Sequence, residues 1–98
     1  MASNFKMLRH YDGDSLHLKL MGDFDGTSAY QLTNILKKNQ SGIGKVFVHT
    51  AGLKHIYSFG CGIFHYNICR SKKLVPGLIF TGENAEQIAP KGSRILPS

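Results

Sequence analysis

The residue with the most chemical scope is Ser58, because of what precedes it. Gly44-Lys45-Val46-Phe47-Val48-His49-Thr50 reads as a strand, Ala51 to Tyr57 as a loop with Leu53 its apolar anchor, and Ser58-Phe59-Gly60-Cys61-Gly62 as the start of a glycine-loosened helix. A helix N-terminus presents unpaired N–H groups and positive partial charge, and it favours anions. A serine there has two uses. It can cap the helix, worth about 1 kcal/mol, or it can accept a phosphate whose nearly two negative charges change the face offered to a partner.

Other constellations offer less. Cys61, His65 and Cys69 are spaced i, i+4 and i+8 on one predicted helix. The outer pair stand about 12 Å apart, too far to share an ion or a disulfide. Asp23 and Asp25 could form an acid pair, but no nucleophile accompanies them, and the expectation is that they bond turn and helix-start amides. Gly60-Cys61-Gly62-Ile63-Phe64-His65 begins like a dinucleotide fingerprint, with His65 in the third glycine's place. No phosphate-binding Walker loop is present. With no catalytic constellation, the chain reads as a non-enzyme needing no cofactor and no metal.

The elements that position these residues follow from periodicity. Phe5 to His10 reads as a first strand, followed by the turn Tyr11-Asp12-Gly13-Asp14. Leu16, Leu18 and Leu20 alternate with His17, Lys19 and Met21, so the leucines face inward, and Gly22 to Gly26 is expected to end that strand. Thr27 or Ser28 then caps a helix with Ala29, Leu32 and Leu36 at helical spacing and Ile35 beside them, ended by Asn39-Gln40-Ser41-Gly42. Val46-Phe47-Val48 reads as a strand covered on both faces. The second helix runs from about Phe59 to Ser71, before Lys72-Lys73. It places Cys61, Phe64 and Ile68 on the face toward the sheet and Phe59, Ile63, Tyr66 and Arg70 on the opposite face. Pro76-Gly77 leads into the strand Leu78-Ile79-Phe80-Thr81. A short helix from Glu83 to Ala89 follows, closed by Pro90 and Gly92, with Ile95-Leu96 as an edge strand. Alternating strands and helices mean an α/β layer with right-handed crossovers.

Composition bounds the function. Ninety-eight residues make one expected domain, 1–98, and 42% apolar with 18% charged content suits a packed protein rather than a disordered one. No run approaches the roughly 18 apolar residues of a membrane span, and the first residues lack a signal peptide's apolar core, so a cytoplasmic address is expected. Two cysteines without a disulfide framework agree. The net charge of +6 is unevenly spread. No Asp or Glu occurs between Gly26 and Gly82, while that segment holds Lys37, Lys38, Lys45, Lys54, Arg70, Lys72 and Lys73. Such a segment carries positive potential toward an acidic partner. Basic charge without a recognition motif leaves nucleic acid disfavoured.

Two motifs carry a resemblance. Gly22-Asp23-Phe24-Asp25-Gly26-Thr27-Ser28-Ala29 resembles the first-helix entry of the STAS family, the domain of bacterial anti-sigma-factor antagonists and of sulfate-transporter tails. Leu53 to Gly60 resembles that family's leucine-containing loop running into Asp-Ser-Ser-Gly or Asp-Ser-Thr-Gly. Ser58 and Gly60 stand at the family's first serine and its glycine, Tyr57 stands where the family has aspartate, and Phe59 replaces the second hydroxyl residue. The resemblance implies a STAS-like α/β fold with a four- to five-stranded mixed sheet and three to four helices. It implies a non-enzymatic, transcription-regulating signalling module whose protein partner is an anti-sigma factor with a kinase-type ATP fold, and Ser58 as the phosphorylation candidate. The partner- or anion-binding candidates are Asp25, Lys54, His55, Tyr57, Phe59, Gly60, Ile63, Tyr66 and Arg70, with a homodimer through the second helix as a variant. The alternative function is sensing of a small anion or nucleotide at the Ser58 helix start, aided by Lys54, His55 and His49.

Overall fold

The computed structural model describes residues 4–39, 44–70 and 77–96. The elements run β1 (Lys6–Asp12), β2 (Ser15–Phe24), α1 (Gly26–Lys38), β3 (Lys45–Ile56), α2 (Ser58–Cys69), β4 (Leu78–Thr81), α3 (Ala85–Ile88) and β5 (Arg94–Leu96). They form one five-stranded sheet in the order β1-β2-β3-β4-β5. The β1–β2 hairpin is antiparallel and the remaining pairs are parallel. The mixed sheet and α/β layering expected from the sequence are therefore observed, with three helices among the described residues.

Strand order that follows chain order decides where the helices lie. Each crossover from β2 onward steps the same way across the sheet, so right-handed connections deposit every helix on one face. One core results. Leu16, Leu18, Leu20 and Phe24 of β2, Val46, Val48 and Leu53 of β3, and Leu78 and Phe80 of β4 meet Ala29, Leu32 and Leu36 of α1, Phe64 and Ile68 of α2, and Ala85 and Ile88 of α3. At its centre the Phe64 ring meets Phe24 and Phe80 edge-on, with centroids 6.2 and 6.1 Å away.

The expectation that Val46-Phe47-Val48 is covered on both faces is corrected by this one-sided arrangement. Val46 and Val48 are buried, whereas Phe47 turns to the helix-free side. There its ring stacks on His17, centroids 4.6 Å apart and planes within 5°. His17 Nδ1 lies 2.9 Å from His49 Nε2, and His49 Nδ1 lies 2.6 Å from Thr81 Oγ1.

Two boundaries also differ from expectation. Strand β2 does not end at Gly22 but continues to Phe24. Ala51 to Ile56 is not a loop but the second half of β3, pairing with Met21 to Phe24. The reason is a pair of register shifts. Between Lys19 and Met21, and again between Gly22 and Asp23, β3 holds one more residue than β2. Each shift breaks the alternation by which a strand is recognised, while the pairing itself persists. The terminal helix is shorter than expected, Ala85–Ile88, so Glu83 lies outside it and only Glu86 in its first turn. The expected ends at Gln40-Ser41-Gly42, Ser71 to Lys73 and Pro76 lie outside the described residues. Among the described residues no helix is long and apolar enough to cross a membrane.

Candidate functional site

The β3–α2 junction is set by backbone bonds rather than by a polar cap. Because β3 runs to Ile56, a single residue remains for the change of direction. Tyr57 takes the extended conformation (φ −92°, ψ 132°) and is the N-cap, without a side-chain hydrogen bond to the helix. Its N–H donates to the Phe24 carbonyl at the end of β2 (3.0 Å), and its carbonyl accepts from Cys61 N (3.1 Å). Ser58 is consequently the first helical residue, not the cap, and it is exposed. Among the described residues its hydroxyl makes no side-chain hydrogen bond. The capping use of Ser58 thus falls away, and the first turn of α2 contains no acidic residue.

The same correction applies at α1, where the cap is Asp25 rather than Thr27 or Ser28. Asp25 Oδ1 accepts from Ser28 N (3.0 Å), and the Ser28 hydroxyl lies 2.8 Å from the Asp23 carbonyl oxygen and 3.1 Å from Asp25 Oδ1. Burial opposes ionisation of Asp25. The hydrogen bonds from Ser28 and Thr27 outweigh it and hold the carboxyl below its ordinary value. The expectation that the two aspartates bond helix-start amides holds for Asp25. Asp23 instead accepts from His55 Nδ1–H at 2.9 Å.

Gly60 fixes how closely α2 meets this cap. A Cβ on Gly60 would lie 2.6 Å from the Asp25 carbonyl carbon and 2.7 Å from its oxygen. Only a residue without a side chain lets the two helix starts approach this way. Asp25 is therefore brought against the Tyr57-Ser58-Phe59-Gly60 turn, an approach that neither motif alone announces.

Outward from the junction, α2 divides by face. Cys61, Phe64 and Ile68 are buried. Burial pushes the Cys61 thiol up. On the other side Phe59 and Tyr66 are 73% and 63% exposed, and Arg70 stacks over the Tyr66 ring at 5.6 Å. Ile63 departs from the expected fully outward stripe. It is half-buried, and its Cδ1 and the Phe59 ring rest against Gly26 at the start of α1. Between Phe59 and Tyr66 runs an open groove of about 540 Å³ lined by Ser58, Phe59, Gly62, Ile63 and Tyr66.

The residues expected to assist Ser58 with an anion are dispersed. Lys54 is exposed near the end of β3, and His55 is engaged by Asp23. His49 lies on the helix-free face of the sheet, bonded to His17 and Thr81. His65 donates its Nε2–H to the Ile88 carbonyl (2.8 Å), which fixes α3 against α2. Among the described residues no group of three or more His, Cys, Asp or Glu side chains is arranged to hold a metal ion. The feature that sequence reasoning missed is Gly62 as the floor of the groove. Its signal was the order Phe59, Gly62, Ile63, Tyr66, which puts an absent side chain between two aromatic ones on a single helix face.

Solved structures share this architecture. The anti-sigma factor antagonist SpoIIAA in its unphosphorylated form superposes with a TM-score of 0.65 over 96% of this chain and 88% of its own, at 16% sequence identity. The fold is SpoIIAA-like. An uncharacterized protein from Shewanella loihica, itself described as having a SpoIIAA-like fold, gives a TM-score of 0.63 over 100% of this chain and 90% of that one, at 15% identity. A third structure, Mglu, matches with a TM-score of 0.60 and 18% identity; 93% of this chain covers 19% of it. No protein-family model matches the sequence, and no curated protein matches it by sequence. The STAS-like architecture expected from the two motifs is thus the observed one.

Proposed function

We propose that this chain is a non-enzymatic regulatory module of the anti-sigma-factor-antagonist kind, which binds another protein through the β3–α2 junction and the outer face of α2. The observation that carries the reading is the exposed stripe of α2. Phe59 and Tyr66 stand free of the core, with Tyr57 half exposed beside them and Arg70 ordered on Tyr66. Aromatic residues and arginine are the usual anchors of protein interfaces. Exposed aromatics clustered on one face need a reason that isolated ones do not. The partner suggested by the likeness to SpoIIAA is an anti-sigma factor with a kinase-type ATP fold. Ser58 is the candidate switch, since a phosphate on this exposed hydroxyl would add charge at the rim of the stripe while lying at a helix N-terminus that tolerates it.

The test is capture from a lysate of the native source with three baits: wild type, Phe59→Ala/Tyr66→Ala, and Ser58→Asp. A partner held by wild type and lost by the double variant, with the double variant still folded by circular dichroism, supports the α2 face. Equal retention by both refutes it. Loss with Ser58→Asp supports the switch, whereas retention leaves a constitutive binding module.

A further inference from the structure

The helix-free face of the sheet carries a hydrogen-bonded pair of histidines that cannot hold all the protons its rings can take. Register places the pair and its neighbours. One row across the sheet runs His10, His17 and Phe47, and reaches Arg94 on β5. The next row runs Lys19, His49 and Thr81. Among the described residues neither row contains a carboxylate. Asp12 lies one row beyond, where Ser15 separates it from Lys45, and Asp23 is already bonded to His55. Lys6, opposite Met21, is one row beyond on the other side.

His17 Nδ1 and His49 Nε2 are 2.9 Å apart, a separation that requires one proton between the two nitrogens. With both rings neutral, a single N–H fills the contact, whichever ring donates it. One added proton is accommodated. A protonated His49 donates Nε2–H to His17 and Nδ1–H to Thr81 Oγ1, 2.6 Å away, and the charge strengthens both bonds. A second added proton is not accommodated. Each ring would then carry N–H on both nitrogens, so two donors would face each other with no acceptor between them. Burial already resists a charge on His49, and His17 and Lys19 add to that resistance.

We infer that the His17–His49 contact is a latch that acid opens, and that its release uncovers one face of the Phe47 ring. His49 keeps its bond to Thr81, so His17 is the ring that leaves; among the described residues its side chain makes no other hydrogen bond. Its departure dismantles the stack in which His17 lies 4.6 Å from Phe47 and 5.2 Å from His49. The backbone pairing of β2 with β3 does not depend on these side chains and persists. Closed, this face is a neutral ring stack with Phe47 covered; open, it is cationic with Phe47 bare.

The test is NMR of the full chain with labelled histidine and phenylalanine rings, titrated from about pH 8 to about pH 5, the range in which histidine changes charge, with circular dichroism in parallel. The pair should take up its two protons in steps separated by about tenfold or more in proton concentration. The Phe47 ring signals should move with the second step alone while the circular dichroism stays native. In His49→Gln the amide can turn its oxygen toward a protonated His17, so the Phe47 signals should no longer respond to acid. His17→Gln should behave likewise and serves should the first variant fold poorly. His10→Gln should keep the response. Phe47 signals that move with the first proton, or not at all, overturn the latch. An acid response that survives in both pair variants, or is abolished by His10→Gln, also overturns it. Loss of the native circular dichroism before the second step makes the change global unfolding and overturns it as well.

Discussion

The same substitution at two sites on α2 should have opposite effects on stability. In Gly60→Ala the new methyl group would sit 2.6, 2.7 and 2.9 Å from the carbonyl carbon, oxygen and Cα of Asp25. That backbone is poorly placed to yield, because Asp25 caps α1: its carbonyl accepts from Ala29 N at 2.9 Å and its carboxylate from Ser28 N at 3.0 Å. Overpacking of this kind costs about 1–3 kcal/mol, and rigid backbone on both sides puts it at the upper end. Alanine returns about 1 kcal/mol of helix propensity, which leaves a net loss of about 2 kcal/mol. For a chain of this size each kcal/mol moves the melting midpoint by about 4–8 °C, so Gly60→Ala should melt about 8–16 °C below wild type. In Gly62→Ala the methyl group meets nothing within 4 Å. Only the propensity term remains, about 0.5–1 kcal/mol in favour, or a rise of about 2–8 °C. Thermal melts by circular dichroism, with urea titrations to confirm that the denaturant slope is unchanged, measure both. Shifts of the same sign would refute the assignment of close approach to Gly60 and open space to Gly62.

Two further outcomes follow from the titratable groups. Burial first, and then the positive charge of His17 and Lys19, hold the His49 pKa below its ordinary value. His10 lies beyond His17 on the same face, its ring centroid 6.2 Å away. The folded state therefore binds the His49 proton less readily than the unfolded chain, and stability falls as pH drops below about 6.5. Wild type should melt lower at about pH 5 than at about pH 7, and His49→Gln should show a smaller drop. Identical drops would remove His49 as the cause. Separately, Cys69 is exposed whereas Cys61 is buried with its thiol pushed up. A disulfide reagent should label one thiol quickly in the native protein and the second only on unfolding, with the fast phase absent in Cys69→Ser. Two fast thiols would contradict the packing of α2 on the sheet.

Much of the architecture was legible because local pattern and final packing agree. The alternating Leu16, Leu18 and Leu20, the helical spacing of Ala29, Leu32 and Leu36, and the inward set Cys61, Phe64 and Ile68 are all buried as their spacing requires. The second half of β3 was illegible for a definite reason. Thr50 and Leu53 both face the core, three residues apart, because an extra residue sits between them, and an odd step does not read as a strand. Cap residues were misassigned at both helices. Side-chain preference points to Thr27, Ser28 or Ser58, whereas the boundary is decided by where the preceding strand stops, at Phe24 and Ile56. Within the candidate site, the aromatic stripe could be read from helical spacing, but the open space over Gly62 could not. It depends on what α1 leaves uncovered. The His17–Phe47–His49 cluster was equally hidden, since only the register of β2 against β3 brings those rings together.

Because the sheet is stacked in the order in which the chain is written, it can be assembled in the order of synthesis. Once α2 has left the ribosome, β1, β2, β3 and both long helices are available, and most of the core can close. At that moment the far side of β3 is a bare edge. Val46 to His49 offer unpaired backbone donors and acceptors until Leu78 to Thr81 arrive to meet them. An uncovered edge of apolar sequence is the template on which nascent chains pair wrongly with one another. The vulnerable interval in the life of this protein therefore lies between the completion of α2 and the docking of β4, and slowed or truncated translation after Cys69 is where aggregation would begin.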